Sequence, residues 1–397
     1  MNKKLIIATT TLVLLAAAAM PLCAQQSIDG VLASVERNNT TLKALRSSTD
    51  AQKLENRAEV SLPDLELGFN YLWGNPTAIG HRKDFNVSQS FDLATLSGMK
   101  GKVADSKNKL VEWEYRSSRM QLLLDTKLAC LDVIYYNAML AELATRHKQA
   151  AALAELHKKR LDSGEGNRIE YNKVVLDMSM IEGEVSRLSA ERSAVLARLA
   201  NLNGGEAVTI SQTSYDAAAL PADFELWYAQ AEAKSPLLAY VRQEVEVSQK
   251  QLSLTKKQGL PSFSAGYMGE FEADQRYQGV TVGVSIPLWS NKKRVRQAKA
   301  AVVAALARQA DAKQQFYGNL KVLYDRAAGL KKTAETYRTA LRSTSNATLL
   351  KKALDEGEIS LLDYLVEMRL YYDAVNQSLD AEREFQKAYA ELSATEL

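Results

Sequence analysis

The chain has 397 residues, with 50 Lys and Arg against 47 Asp and Glu and a formal net charge of +3. So even a balance excludes attraction to a polyanion, and with it nucleic acid, as the basis of function. Its two cysteines, Cys23 and Cys130, allow at most one disulfide, and none if the N-terminus is cut after Cys23. An exported form must then hold together by packing.

In chain order, the first segment is MNKKLIIATTTLVLLAAAAMPLCAQQ. Lys3 and Lys4, an apolar run from Leu5 to Met20 and the small residues after it predict a secretory signal peptide over 1–24, cut after Ala24. The run falls short of the roughly 20 residues of a spanning helix. Lipid modification of Cys23 is the alternative, against which Met20, Pro21 and Leu22 lack the small residue such a site wants. Removing Lys3 and Lys4 takes the net charge from +3 to +1. No later segment is expected to form a transmembrane helix.

Proline breaks helix interiors, and none occurs between Pro76 and Pro221 or after Pro287. Both gaps are filled with good helix formers. One unit occurs twice in tandem. LPDLELGFNY from residue 62 answers LPSFSAGYMG from 260, and RLDSGEGNRIEYNKV from 160 answers ALDEGEISLLDYLVE from 353. The first repeat is placed at 25–205, with helices over about 27–60, strands at 64–73 and 84–92, a long helix 97–162 and a helix 168–202. A small mixed linker covers 206–221. The second repeat, 222–397, has helices to about 258, strands at 262–271 and 278–288, a long helix 291–355 and a helix 360–394. At 1.5 Å per residue the long helices extend roughly 100 Å. In the last helix Leu361, Leu365, Met368, Tyr372, Val375 and Leu379 step by four and three, a coiled-coil seam read as ordinary helix packing.

The strands alternate with period two. Leu65, Leu67, Phe69, Tyr71 and Trp73 share a face, as do Phe85, Val87 and Phe91, then Phe263, Ala265, Tyr267 and Phe271, then Val280, Val282, Val284, Ile286 and Leu288. Each strand has about the 9–11 residues that cross a bilayer at a tilt. A soluble sheet packed on helices accounts for the pattern equally well. Export and helices too long for a sandwich favour the bilayer. Four strands cannot close a barrel, since about eight is the practical minimum, so several chains must share one.

The leader, the doubled unit, Leu62-Pro63 and Leu260-Pro261 before strands, SIPLWSNKKRVRQA at a strand-to-helix junction and ALDEGEISLLDYL at a helical turn together resemble the TolC-type outer-membrane efflux family. The resemblance implies a mainly α fold with transmembrane β structure: a long-helix α-barrel plus a β-barrel completed by oligomerisation, a homotrimer of four strands per chain. It implies an outer-membrane location with a periplasmic extension, contact with outer-membrane lipid, a periplasmic adaptor and an inner-membrane pump of the RND type. The function so implied is the passive exit duct of a tripartite efflux pump for small molecules or metal ions. Secretion of polypeptides by the same architecture, and a periplasmic coiled-coil scaffold, are the alternatives. The chain is short for the family, and FDLATLSGMKGKVA is a looser junction than its counterpart.

Two helical turns are the candidate adaptor-docking tips: Gly164, Glu165, Gly166 and Asn167, and Asp355, Glu356, Gly357, Glu358 and Ile359. Helix reversal alone explains these residue types, because Gly ends a helix cheaply and Asn167 or Ser360 caps the next. Asp363 and Glu367, four apart on one face, are solvated surface or, in a duct, a carboxylate ring at the periplasmic aperture. Lys256-Lys257 and Asn291-Lys292-Lys293-Arg294 flank strand ends, where long cationic side chains reach lipid head groups. His81, His147 and His157 form no ligand motif and are expected at the surface. No phosphate loop, HExxH or nucleophile elbow supports an enzyme, and no cofactor is expected.

Overall fold

The computed structural model describes residues 27–76, 79–272, 275–287, 290–343 and 346–397. The leader with Cys23, and Leu288 of the fourth strand reading, lie outside the described residues. The chain is mainly helical with one four-stranded antiparallel sheet. Its first part runs α1 (Ile28–Asn38), α2 (Thr40–Ala58), β1 (Glu66–Trp73), β2 (His81–Phe91), α3 (Leu93–Leu96), α4 (Met99–Asp162) and α5 (Arg168–Leu202). Its second runs α6 (Phe224–Lys234), α7 (Pro236–Lys257), β3 (Ser262–Glu272), β4 (Gln275–Ser285), α8 (Ser290–Ser343), α9 (Asn346–Asp355) and α10 (Leu361–Leu392), with a closing 3-10 turn at Ala394–Glu396.

The same local devices recur in both parts. Asn39 Oδ1 accepts the Leu42 N–H at 2.8 Å and starts α2. Ser235 Oγ accepts the Leu238 N–H at 3.3 Å and starts α7, whose first residue is Pro236. A capping side chain thus satisfies an orphan donor at each helix start. Where one helix over 97–162 was expected, α3 ends at Leu96 and α4 begins at Met99, because Gly98 takes a left-handed φ of +66°. The fourth strand lies three residues before its expected bounds. Gln275 pairs with Glu272 at the hairpin, and Pro287 has no N–H to extend the ladder at the other end.

The helices form two tiers on two continuous members, α4 and α8. Nearest the sheet, α2, α4, α7 and α8 lie side by side; beyond the midpoint α5 and α10 replace α2 and α7. Polar bridges fix the neighbours: Gln243 of α7 donates to buried Ser106 Oγ of α4 at 2.7 Å, Arg308 of α8 pairs with Glu244 of α7 at 2.6 Å, and Lys387 of α10 with Asp132 of α4 at 3.2 Å.

The main core sits where the tiers meet. Val31 and Val35 of α1, Cys130, Val133 and Ile134 of α4, Leu199 of α5, and Val208 and Ile210 of the linker bury one another. Burial pushes the Cys130 thiol up to about 12, so it stays protonated. The linker has no helix or strand between Glu206 and Pro221; the Asn137 amide holds it by donating to the carbonyls of Ile210 and Gln212, both at 2.9 Å. Buried Asn203 accepts from Ser34 Oγ at 2.9 Å and from Asn38 at 3.2 Å, tying α1 to the end of α5. By length and composition α4 does contain a stretch apolar enough to cross a membrane, contrary to the sequence expectation. Half of that stretch is buried, and α4 concentrates its buried residues from Leu123 to Leu143. A helix in a protein core needs the same apolar composition as one in lipid.

Candidate channel wall and helical tips

The sheet order is β1-β2-β3-β4, all antiparallel. Its register brings the apolar positions of every strand to one face: Phe69 opposite Phe85, Val87 opposite Tyr267, Phe91 opposite Phe263, and Phe263 opposite Val284. Among the described residues, no element covers this face. Val280 is 83% exposed, Val282 79%, Trp73 75% and Leu67 69%. Exposed Trp73, Tyr71 and Phe271 lie toward the hairpin end, and exposed Phe263 at the helix end. An 11-residue strand reaches roughly 37 Å, and a tilt of about 45° brings it to the hydrocarbon height of about 25 Å.

The opposite face is polar. Arg82 pairs with Asp84 at 2.8 Å and with Glu270 at 2.6 Å, and Ser88, Ser264 and Thr281 accompany them. It is also crowded. A Cβ on Gly266 would lie 2.5 Å from the Val87 carbonyl oxygen, and one on Gly68 would strike the Asn86 amide. Glycines where neighbours converge mark the concave side of a curved sheet. The apolar face is therefore convex, and β1 and β4 each present an unpaired edge.

At the far end of the helices the two candidate tips are built alike. Gly164 (φ +78°) and Gly357 (φ +75°) turn the chain left-handed. The Glu165 N–H donates to the Arg160 carbonyl and the Glu358 N–H to the Ala353 carbonyl, both at 2.9 Å. These are matching Schellman closures of α4 and α9. Gly166 is needed for a different reason: a Cβ there would lie 2.7 Å from the Leu161 backbone nitrogen. Glu165, Asn167, Asp355, Glu356 and Glu358 are exposed, and Ile359 is half-buried. Asn167 Oδ1 caps α5 by accepting the Ile169 N–H at 2.8 Å.

The structure separates the two candidate aperture carboxylates. Asp363 closes a capping box on α10: its N–H donates to Ser360 Oγ at 3.2 Å, and its carboxylate accepts the Ser360 backbone N–H at 3.3 Å. Glu367 is exposed and makes no ion pair among the described residues. Above the tips, α4, α5 and α10 enclose a groove of about 510 Å³, lined in part by Leu176, Met180, Leu365 and Met368. Buried Arg146 forms part of its lining, donating to Glu142 at 3.0 Å and Asn376 at 2.9 Å and lying 4.2 Å from the centre of the Tyr372 ring. Sequence reasoning missed Arg146, because nothing in a helical pattern marks one cation as buried.

Residues 227–395 match the family described as outer membrane efflux protein. The second half of the chain is thus similar to an outer membrane efflux protein domain. No curated protein matches the sequence. Among solved structures, CusC, whose structures concern folding and transmembrane channel formation, aligns over 94% of this chain and 92% of its own, with TM-score 0.77 and 13% identity. The open outer membrane channel MtrE of Neisseria gonorrhoeae aligns over 93% and 88%, with TM-score 0.71 and 15% identity. The outer membrane channel CmeC of Campylobacter jejuni aligns over 93% and 83%, with TM-score 0.65 and 14% identity. The chain thus has its fold in common with these channels, and the likeness extends over the first repeat.

His157, expected at the surface, is buried on α4 of the first repeat, with Nδ1 3.7 Å from Glu170 of α5. Its counterpart 193 positions on, in the second repeat, is Leu350, and that of Glu170 is Asp363. Burial lowers the His157 pKa; Glu170 opposes this and Arg160 reinforces it. Folding therefore favours the neutral imidazole. The contribution of His157 to the α4–α5 tip is complete above its unfolded pKa of about 6.5 and declines as the pH falls toward the lower folded value. Hydrogen exchange near the tip is expected to quicken between pH 7.5 and 5.5 beyond its intrinsic pH dependence. His157→Leu is expected to flatten that response, and equal responses in the two proteins would refute the assignment.

Proposed function

We propose that this chain is one subunit of an outer-membrane efflux channel, in which several copies complete a β-barrel above an α-helical duct. The observation that carries the reading is the sheet: an apolar convex face open across all four strands, a polar concave face, and two unpaired edges, continuous with helices of roughly 100 Å. A water-soluble scaffold would leave that face exposed to solvent, and contiguous apolar patches on soluble proteins mark interaction sites. Three copies, the number implied by family resemblance, would supply twelve strands. Val282→Lys places a charge on the convex face and is expected to cost about 2–4 kcal/mol of insertion into lipid vesicles. Thr281→Lys, its neighbour on the concave face, is expected to insert normally. Equal insertion of the two variants would refute the wall assignment.

The tips dock a periplasmic adaptor that couples the duct to an inner-membrane pump. Two near-identical Schellman turns with exposed acidic residues, 193 positions apart, give a partner the same feature twice in each subunit. Gly164→Val with Gly357→Val puts a branched side chain at positive φ in both turns. This variant is expected to conduct in planar bilayers while cellular export falls severalfold; full export would remove the docking role.

Glu367, with the capping Asp363 beside it, lines the aperture and favours cations there. The cargo, small molecules or metal ions, moves passively. Asp363→Asn with Glu367→Gln is expected to lower the cation preference of single channels. An unchanged reversal potential in a salt gradient would exclude the ring.

A further inference from the structure

The two repeats differ in charge where strands meet helices. In the first, Lys100, Lys107 and Arg57 are mated to Asp92, Glu59 and Asp105. In the second, Lys256 and Lys257 end α7, while Lys292, Lys293, Arg294 and Arg296 begin α8, and none of them makes an ion pair among the described residues. The sequence has no Asp or Glu between Glu246 and Glu270, nor between Asp274 and Asp311.

The fold joins the two cationic groups. With its amide turned to satisfy both neighbours, Asn291 donates to the Thr255 carbonyl at 3.0 Å and accepts the Gly259 N–H at 3.3 Å, locking the start of α8 onto the end of α7. Gly259 has no room for a side chain, since a Cβ would lie 1.7 Å from the Asn291 amide. Cations at a helix start oppose the helix dipole, so the cluster of α8 is placed at a local electrostatic cost. Exposed Phe263, Val284 and Ile286 lie beside it. A head-group layer is roughly 5–8 Å deep, about the length of the first turn and a half of α8. Three consecutive cations at 100° steps wrap that turn, so at least one faces lipid whichever side a neighbour covers.

We infer that the junction of the second repeat is a contact site for anionic phospholipid head groups in the leaflet facing the helices, and that the junction of the first repeat is not. The inference rests on the membrane-channel reading above. Its test uses the full-length oligomer in phosphatidylcholine vesicles containing a minority of phosphatidylglycerol, with co-purified lipids counted by native mass spectrometry. Wild type is expected to retain phosphatidylglycerol over phosphatidylcholine, and added salt to weaken the preference. Each cation near an anionic surface is worth roughly fivefold, so Lys292→Gln/Lys293→Gln/Arg294→Gln is expected to lower the preference about tenfold or more. Lys256→Gln/Lys257→Gln, on the other side of the Asn291 lock, gives an independent reading and is expected to lower it less. Lys102→Gln, in the first repeat, is expected to leave it unchanged.

Equal preference in wild type and both second-repeat variants would overturn the inference, as would inorganic phosphate at matched concentration displacing the lipid completely. Dissociation of the triple variant in pure phosphatidylcholine, with the lipid preference intact, would assign the cations to a neighbouring copy and overturn it too. Failure of wild type to enter phosphatidylcholine at all would instead refute the channel reading.

Discussion

Every backbone N–H and C=O in hydrocarbon must find a partner within protein, because each one left unpaired costs several kcal/mol. That constraint governs this chain more than any side-chain contact. The ladders β1–β2, β2–β3 and β3–β4 satisfy the interior of the sheet, and the outer edges of β1 and β4 remain. Covering them with helix would bury the apolar convex face, which this chain leaves open. In the channel reading, what completes them is the edge of another copy. The helical layer has the same form, with α2 and α5 at one margin and α8 at the other, as arcs of a larger ring would have.

Duplication supplied the arc, and divergence then gave equivalent positions different work. Asp363 and Glu170 both stand three residues past a helix cap. Asp363 turns back to Ser360 and closes a capping box. Glu170 reaches across to a buried histidine on α4. Charge at the strand-to-helix junctions divides similarly: Arg57, Lys100 and Lys107 are paired within the chain in the first repeat, whereas the six cations of the second make no ion pair among the described residues. The two halves share a backbone plan and differ in which of their polar groups are satisfied internally.

The fold class was legible because its signals are periodic. Alternation at Val280, Val282 and Val284 assigns a strand face without reference to any other strand, and proline-free stretches rich in Ala, Leu, Lys and Glu read as long helices. Gly164 and Gly357 were legible as turns because positive φ leaves few residue choices. What stayed hidden depended on partners distant in sequence. The start of β2 at His81 is set by pairing with Trp73. The burial of His157 follows from the approach of α5, and that of Arg146 from its contacts with α10. The i to i+4 spacing of Asp363 from Glu367 marks a shared helix face and says nothing of the Ser360 contact. S-x-x-D at a helix start is itself a capping signal, so that contact is also legible in the sequence.

The distribution of packing also says which part of the molecule can move. At the junction of the tiers, α1, α4, α5 and the linker share one apolar core and the Asn203 network, so a displacement there would cost several buried contacts at once. Beyond it, α5 and α10 flank α4 with a groove between them, and polar contacts carry much of the α4–α10 attachment: Arg146 with Asn376 and the Tyr372 ring, and the Tyr372 hydroxyl with Gln149 at 2.8 Å. Contacts of that kind can exchange for water at modest net cost, whereas buried apolar contacts cannot. In the channel reading, the lower tier is the more yielding end of the duct. It is also the tier that carries the tips, Glu367 and the one buried histidine, so the groups able to sense a partner or a proton are concentrated where the structure yields most easily.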